Sequence, residues 1–368
     1  MKKRFLGVLL SVAMVAAVLA GCGSSGAKET AAPAGSETEA ASEAASGETE
    51  AAGNTGDVIT VGFSQVGAES DWRTANSESM KSTFSTENGY NLIFDDAQQK
   101  QENQIAAIRN FIQQEVDYIV LAPVTESGWD TVLQEAKDAE IPVIIVDRMV
   151  DVSDDSLYTA WVGSNFKLEG QKACEWLKQY AAAKNMNEVN IVDIQGTIGA
   201  SAQIGRTEAL NEAVEANGWN LLAQQTGEFT QAKGQEVMES MLKQYDNINV
   251  VYCENDNEAF GAIEAIKAAG KTVGPDGDIL VMSFDTTKQG ITDTLSGDII
   301  VNTECNPLHG PRVEQIIKQL QAGETPEKQA YVEEGIYAHG SDVASVSIDG
   351  TDYEVTEVTQ DVVDARAY

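Results

Sequence analysis

The chain has 368 residues, 58 acidic against 24 basic side chains, and a formal net charge of −34. Such a field repels nucleic acid and anionic lipid surfaces, so neither is expected as a partner, and the charge itself is read as a solvated surface rather than a site. The only histidines, His309 and His339, have no neighbours at metal spacing, which argues against a zinc centre. At the N-terminus, Lys2, Lys3 and Arg4 precede an apolar run, Phe5 to Leu19, flanked like a secretory signal and too short to span a bilayer. The run ends in Leu19-Ala20-Gly21-Cys22, which has the form of a lipobox and predicts cleavage before Cys22 with a diacylglycerol thioether on its side chain. Two acyl chains hold far better than one, so the mature chain is expected outside the cytoplasm, anchored to the outer face of the cell membrane or in the periplasm. An unlipidated signal peptide fits the Ala-rich run equally, and the Gly21-Cys22 pair is what separates the two.

Residues Gly23 to Asp57 are almost wholly Gly, Ser, Ala, Thr and Glu, with no aromatic, leucine or isoleucine. They cannot bury enough surface to fold, and as a flexible coil they would reach roughly 30 to 35 Å. The folded body is expected to start near Val58. Its length exceeds the size at which one core usually splits, so two lobes are expected. Apolar runs of strand length follow: Ile59 to Phe63, Tyr90 to Phe94, Tyr118 to Leu121, Pro142 to Val146, Val189 to Ile194, Leu221 to Gln225, Val250 to Tyr252, Ile279 to Phe284 and Ile299 to Thr303. Between them, Ile105, Ile108, Phe111 and Ile112, then Val237, Met238, Met241 and Leu242, then Ala262, Ile263 and Ile266, fall at helical spacing. Strands alternating with helices predict an α/β fold of parallel sheets covered on both faces. Cys174, Cys253 and Cys305 stand in unrelated contexts, which predicts buried thiols rather than a disulfide framework.

In open parallel sheets ligands sit beyond the carboxyl ends of the strands, so the residues there are the ones to read. After Ile59 to Phe63 come Glu69, Trp72 and Arg73; after Pro142 to Val146 come Asp147 and Arg148. The strand at Val189 leads through Gln195-Gly196 to Arg206, and the later strands end in Glu254-Asn255-Asp256, Asp285 and Glu304-Cys305-Asn306. A sugar hydroxyl both donates and accepts, so a carboxylate beside a guanidinium satisfies neighbouring hydroxyls in a fixed geometry, at about 1.5 to 3 kcal/mol per charge-assisted bond. The C–H faces of a ring need an apolar plate, which Trp72 can supply. Each residue alone has a plainer use: Asp147-Arg148 as a surface ion pair, Arg206 as a solvated helix residue, Trp72 as a core ring, Asp285 as the N-cap of a helix over Thr286 to Leu295. Their shared position at successive strand ends favours the site.

At these residues the chain resembles the extracytoplasmic sugar-binding proteins of bacterial ABC transporters, of the type I periplasmic binding protein fold and ribose-binding group, and most of all their galactofuranose-binding branch. The resemblance is carried by VGFSQVGAESDWR (61–73), QQKQENQIAAIRNFI (98–112), EAKDAEIPVIIVDR (135–148), QGTIGASAQIGR (195–206) and NDNEAFGAIEAIKAAG (255–270). It implies two Rossmann-like lobes, residues 58–163 with 306–332 and residues 164–305 with 333–368, joined by three crossings near Ser164-Asn165, Glu304-Cys305 and Glu333 to Ile336. It also implies a non-enzymatic binder, a monomer without cofactor or metal, that closes on a monosaccharide and presents it to a membrane permease. Glu69, Trp72, Arg73, Asp147 and Arg148 match ligand positions of the first lobe, Arg206, Asn255 and Asp285 those of the second, and Glu304 falls where ribose binders commonly use an amide at the hinge.

Other motifs have simpler readings. Gly270-Lys271-Thr272 lacks the first glycine of a phosphate loop and follows a helix, so it reads as a helix end. Asp276-Gly277-Asp278 reads as a tight turn rather than a calcium loop. Two other functions use the same residues. A secreted glycosidase would need two carboxylates about 5 to 9.5 Å apart across a bond, as Asp147 with Glu69 or Asp285. A sensory subunit for a chemoreceptor or histidine kinase would share the binding chemistry entirely.

Overall fold

The computed structural model describes residues 58–368; the signal run, Cys22 and the linker to Asp57 lie outside the described residues. The first part of the chain runs β1 (Ile59–Gln65), α1 (Asp71–Thr83), β2 (Tyr90–Asp96), α2 (Gln101–Gln113), β3 (Tyr118–Leu121), α3 (Asp130–Asp138), β4 (Val143–Val146) and β5 (Ala160–Gly163). It then continues α4 (Phe166–Ala183), β6 (Asn190–Gln195), α5 (Ser201–Asn217), β7 (Asn220–Thr226), α6 (Gln231–Gln244), β8 (Val250–Cys253), α7 (Asp256–Ala268), β9 (Leu280–Asp285), α8 (Lys288–Ser296) and β10 (Val301–Glu304). The end comprises α9 (Gly310–Gln321), β11 (Gln329–Tyr331), β12 (Ile336–Ala338), β13 (Ser345–Ile348), β14 (Thr351–Glu357) and α10 (Gln360–Ala365).

These strands form two sheets, ordered β11-β5-β4-β3-β1-β2 and β13-β14-β12-β10-β9-β8-β6-β7. The first is parallel throughout. The second is parallel from β7 to β10 and gains an antiparallel margin where β12 meets β10 and β13 meets β14. Helices cover both faces, and so a strand such as Val143–Val146 is buried at every position and shows no alternation. On the first sheet, Val61 and Phe63 pack with Met80, Phe84 and Ile317 on one side, while Ile119 and Leu121 pack with Ile108 and Phe111 on the other. The second sheet likewise has a core on each face, around Trp176 and Tyr252 and around Met238 and Ile266. The doubly wound α/β fold expected from the alternating pattern is present.

The chain passes from one sheet to the other three times, at residues 164–165, 305–309 and 332–335. In each sheet the strand order reverses beside the first strand laid down, between β1 and β3 and between β6 and β8. Loops on either side of such a reversal splay apart and leave a crevice at the carboxyl ends. Cys174, Cys253 and Cys305 are buried free thiols, as expected from their contexts.

Candidate functional site

The carboxyl ends of β1, β4, β8 and β9 and the first two turns of α1 and α5 meet around one cavity. Its lining includes Glu69, Trp72, Arg73, Asp147 and Arg148 from the first sheet's turns and Arg206, Asn255 and Asp285 from the second's. The empty space around the lining, open solvent included, is about 300 Å³. Local chemistry explains the placement. Ser70 caps α1, its hydroxyl accepting from Arg73 N–H at 3.1 Å, and this sets Trp72 and Arg73 in the first helical turn. Asn255 caps α7 by accepting from Glu258 N–H at 2.8 Å. Asp147 and Asp285 leave their strands with φ of 62° and 100°, a backbone conformation that non-glycine residues adopt only where the surroundings impose it.

The plainer readings of several residues do not hold here. Asp147 and Arg148 are each 3 % exposed, far from a solvated surface pair. Arg206 is fully buried on α5. Helix α8 is capped by Thr287, whose Oγ1 accepts from Gly290 N–H at 3.1 Å, which leaves Asp285 facing the cavity. Trp72 stays a lining residue, but its indole is also engaged: Nε1 donates to Cys305 O at 2.6 Å, tying α1 to the second crossing.

Glu304 faces away from this cavity. Its carboxylate accepts from Gly335 N–H at 2.9 Å, Arg366 Nη1 at 2.8 Å and the Tyr368 hydroxyl at 2.7 Å, and it is absent from the cavity lining. Successive residues of an extended strand point to opposite sides. Where Glu304 turns to the C-terminal tail, the neighbouring Cys305 therefore lines the cavity.

The charges are arranged in pairs with spare valence. Arg73 Nε donates to Glu69 Oε1 at 2.9 Å and its Nη2 to Asp147 Oδ2 at 2.7 Å. Arg148 Nη1 donates to Val124 O at 2.9 Å, while its other nitrogens stand 3.7 Å from Glu69 Oε1 and 4.0 Å from Asp147 Oδ2. Across the cavity, Arg206 Nε donates to Glu169 Oε2 at 2.8 Å, its Nη1 donates to Glu254 O, and its Nη2 lies 3.7 Å from Asp285 Oδ1. Glu69 Oε2 and Arg73 Nη1 are buried with no hydrogen-bond partner among the described residues. Buried polar atoms are nearly always satisfied, so orphans on both a carboxylate and a guanidinium point to a polar ligand.

The two aspartates are held in opposite protonation tendencies. Burial pushes the Asp147 carboxyl up, but Arg73, Arg148 and His309 together hold it below the usual range. Burial also pushes Asp285 up, and Arg206 does not offset it because Asp256, Glu169 and Asp147 repel a charge there; its carboxyl lies well above the usual range. The Arg148 guanidinium is brought down to about 10 by burial and by Arg73, and still carries its charge at neutral pH. One side of the cavity thus holds a carboxyl pushed toward its charged form and the other a carboxyl pushed toward its neutral form, each beside a guanidinium donor.

Five further lining residues were not among the expected ones: Ser70, Phe166, Ala202, Phe229 and Cys305. Trp72, Phe166, Phe229 and Cys305, all of which line the cavity, pack as one apolar cluster with Ala200 and Ala202. Phe229 follows β7, so the rule that exposed Asp147 after β4 applies to it as well. Phe166 opens α4 directly after the first crossing.

Comparison with known proteins agrees with this geometry. Residues 61–303 match the family model described as the periplasmic binding protein domain. The chain is 42 % identical over 284 residues to the galactofuranose-binding protein YtfQ of Escherichia coli, covering 76 % of this chain and 87 % of that one. A Mycobacterium smegmatis structure in complex with β-D-fucofuranose is 44 % identical with a TM-score of 0.73, covering 76 % of this chain and 91 % of that chain. The periplasmic binding protein component of the arabinose ABC transporter from Shewanella sp. ANA-3, bound to α- and β-L-arabinofuranose, is 42 % identical with a TM-score of 0.71, covering 76 % and 92 %. The chain belongs to the periplasmic binding protein family and is a solute-binding protein, not an enzyme.

Proposed function

We propose that the chain binds one monosaccharide, in its furanose form, between the two sheets and delivers it to the permease of an ABC importer. The observation that carries this reading is the convergence of carboxylates and guanidinium groups from both sheets, with unspent hydrogen-bonding atoms, beside an apolar wall. The relatives bound to fucofuranose and arabinofuranose, and the one named for galactofuranose, support the ring form.

On this reading residues 58–163 with 306–332 form one lobe and residues 164–305 with 333–368 the other, rotating about the three crossings. Glu69, Trp72, Arg73, Asp147 and Arg148 grip the sugar from the first lobe; Arg206, Asn255 and Asp285 grip it from the second. Only the closed form brings both sets within reach, so sugar shifts the population toward it. Direct bonds already bridge the lips: Asp71 N–H to Asn257 Oδ1 at 3.0 Å, Glu126 N–H to Gly199 O at 2.9 Å and Met149 N–H to Ser201 Oγ at 2.9 Å. Sugar entry then requires these lips to part. A lipid anchor at Cys22, with the linker to Asp57 as its tether, would confine the monomeric binder to a layer roughly 30 to 35 Å deep at the permease.

A thermal-shift panel of pentoses and hexoses, with L-arabinose, D-fucose and a galactofuranoside included, tests the reading. At a hundredfold excess over Kd a bound sugar stabilises by about 2.7 kcal/mol, equivalent to a rise of roughly 4 °C for a body of this size. Sugars able to populate the furanose ring are expected to give the largest shift. A flat response across the whole panel would contradict sugar binding.

A further inference from the structure

Phe229 reaches the cavity from a backbone that needs outside support. Both Glu228 and Phe229 lie in the left-handed region, with φ of 57° and 60°, and a bulky side chain stays there only when its neighbours hold it. Three groups do so. Phe229 N–H donates to Glu258 Oε1 at 2.8 Å, Phe229 O accepts from Asn255 Nδ2 at 3.2 Å, and the ring lies so close on Gly196 that a Cβ there would come within 1.9 Å of it.

The Glu258 contact is a departure from an ordinary helix start. Asn255-Asp256-Asn257-Glu258 has the spacing of a capping box, in which the acid three residues on returns to the cap residue's own N–H. Here Asn255 caps Glu258 N–H, but the Glu258 side chain leads away to Phe229 instead. Glu258 is fully buried and does not line the cavity. It is also closely packed: a Cβ on Gly227 would lie 2.7 Å from its Oε1, and one on Gly234 would lie 2.7 Å from its backbone. Held in this way, the Phe229 ring stands 5.0 Å from the Arg148 guanidinium, which belongs to the opposite sheet.

We infer that Glu258 is a positioning residue for sugar binding: it fixes Phe229 at the height where the ring meets Arg148 across the cavity, so affinity depends on a side chain that touches no sugar. The inference rests on the sugar-binding reading for its affinity readout, while the hold on Phe229 can be read without sugar.

The test compares wild type with Glu258→Gln, Glu258→Ala, Phe229→Ala and the Glu258→Ala/Phe229→Ala double variant, titrated calorimetrically with the sugar giving the largest thermal shift. Gln keeps the acceptor oxygen, so Glu258→Gln is expected to remain within about threefold of wild type and Glu258→Ala to bind about tenfold or more weakly, with the double variant no weaker than Phe229→Ala by more than about threefold. Losses that multiply in the double variant, as a general weakening of the fold would give, overturn the inference. So does near wild-type affinity in Glu258→Ala. Hydrogen exchange of the Gly227–Thr230 segment in sugar-free protein reads the hold directly: faster exchange in Glu258→Ala but not in Glu258→Gln supports it, and unchanged exchange overturns it. This arm decides even if wild type binds none of the sugars, a result that would count against the sugar-binding reading alone. Should Glu258→Ala not fold, Gly196→Ala displaces the ring with Glu258 intact and is expected to lose as much affinity as Phe229→Ala; undiminished affinity there overturns the inference.

Discussion

Replacing Arg148 by alanine is expected to abolish measurable sugar binding while leaving the thermal midpoint within a few degrees of wild type. The reason lies in how differently two adjacent arginines are used. Arg73 is hydrogen-bonded to both Glu69 and Asp147, so those acids keep their cation when Arg148 is removed. Arg148 itself makes one hydrogen bond, to Val124 O, and its remaining nitrogens stand 3.7 and 4.0 Å from carboxylates. They are close enough for charge but free for a ligand. Two lost charge-assisted bonds amount to about 3 to 6 kcal/mol, enough to weaken a micromolar complex to roughly 0.2 mM at the least and well beyond millimolar at the most. Calorimetric titration and a thermal melt of the same sample check both halves. Wild-type affinity would remove Arg148 from the site, and a collapsed midpoint would make it a structural ion-pair partner instead.

Arg206→Ala should cost stability as well as binding. Its Nε and Nη2 both lie 2.8 Å from Glu169 Oε2, and all three groups are buried. Glu169 in turn sits with Cys305 and Glu334 in a cluster whose ligand-type atoms are within 4.8 Å of one another. Burial pushes Glu334 well up, and Glu169 beside it adds to the rise. Without Arg206, the nearest cation left to Glu169 is Lys172, whose ammonium is already engaged by Glu334 O at 2.8 Å. Burial already holds the Glu169 carboxyl above its usual range against the pull of Arg206, and removing that partner costs about 3 to 5 kcal/mol, or roughly 5 to 8 °C in midpoint. Adding Glu169→Gln is expected to restore a large part of that stability without restoring binding, because the cavity has still lost the Arg206 guanidinium that lines it. If the double variant is as unstable as the sum of its singles, the pair is not what Arg206 supports.

Much of this was legible in the residues because parallel sheets impose simple rules. Runs such as Val143–Val146 are apolar at every position because both faces are covered, and the polar residues directly beyond them, Asp147 and Arg148, stand where the crevice forms. Legibility stopped where a rule other than strand-end position took over. The direction of Glu304 was not legible because it depends on strand alternation and on Arg366 and Tyr368, some sixty residues later in the chain. Phe229 was legible by position, yet nothing in Gly227-Glu228-Phe229 marks two consecutive left-handed residues, since that conformation is imposed by Glu258 and Asn255 on another helix. The short strands β5, β11, β12 and β13 were missed for a related reason. A run of three or four residues gains its hydrogen bonds from tertiary neighbours rather than from its own pattern. The left-handed backbone at Asp147 and Asp285, which aims both carboxyls into the cavity, likewise has no glycine to announce it.

A crystal structure grown with the sugar giving the largest thermal shift tests the central claim most directly. One furanose ring is expected between the sheets, within hydrogen-bonding distance of Arg148 on one side and of Asp285 on the other, with its bonds unbroken. A sugar seated elsewhere on the molecule, or one held by residues of a single sheet alone, would contradict it.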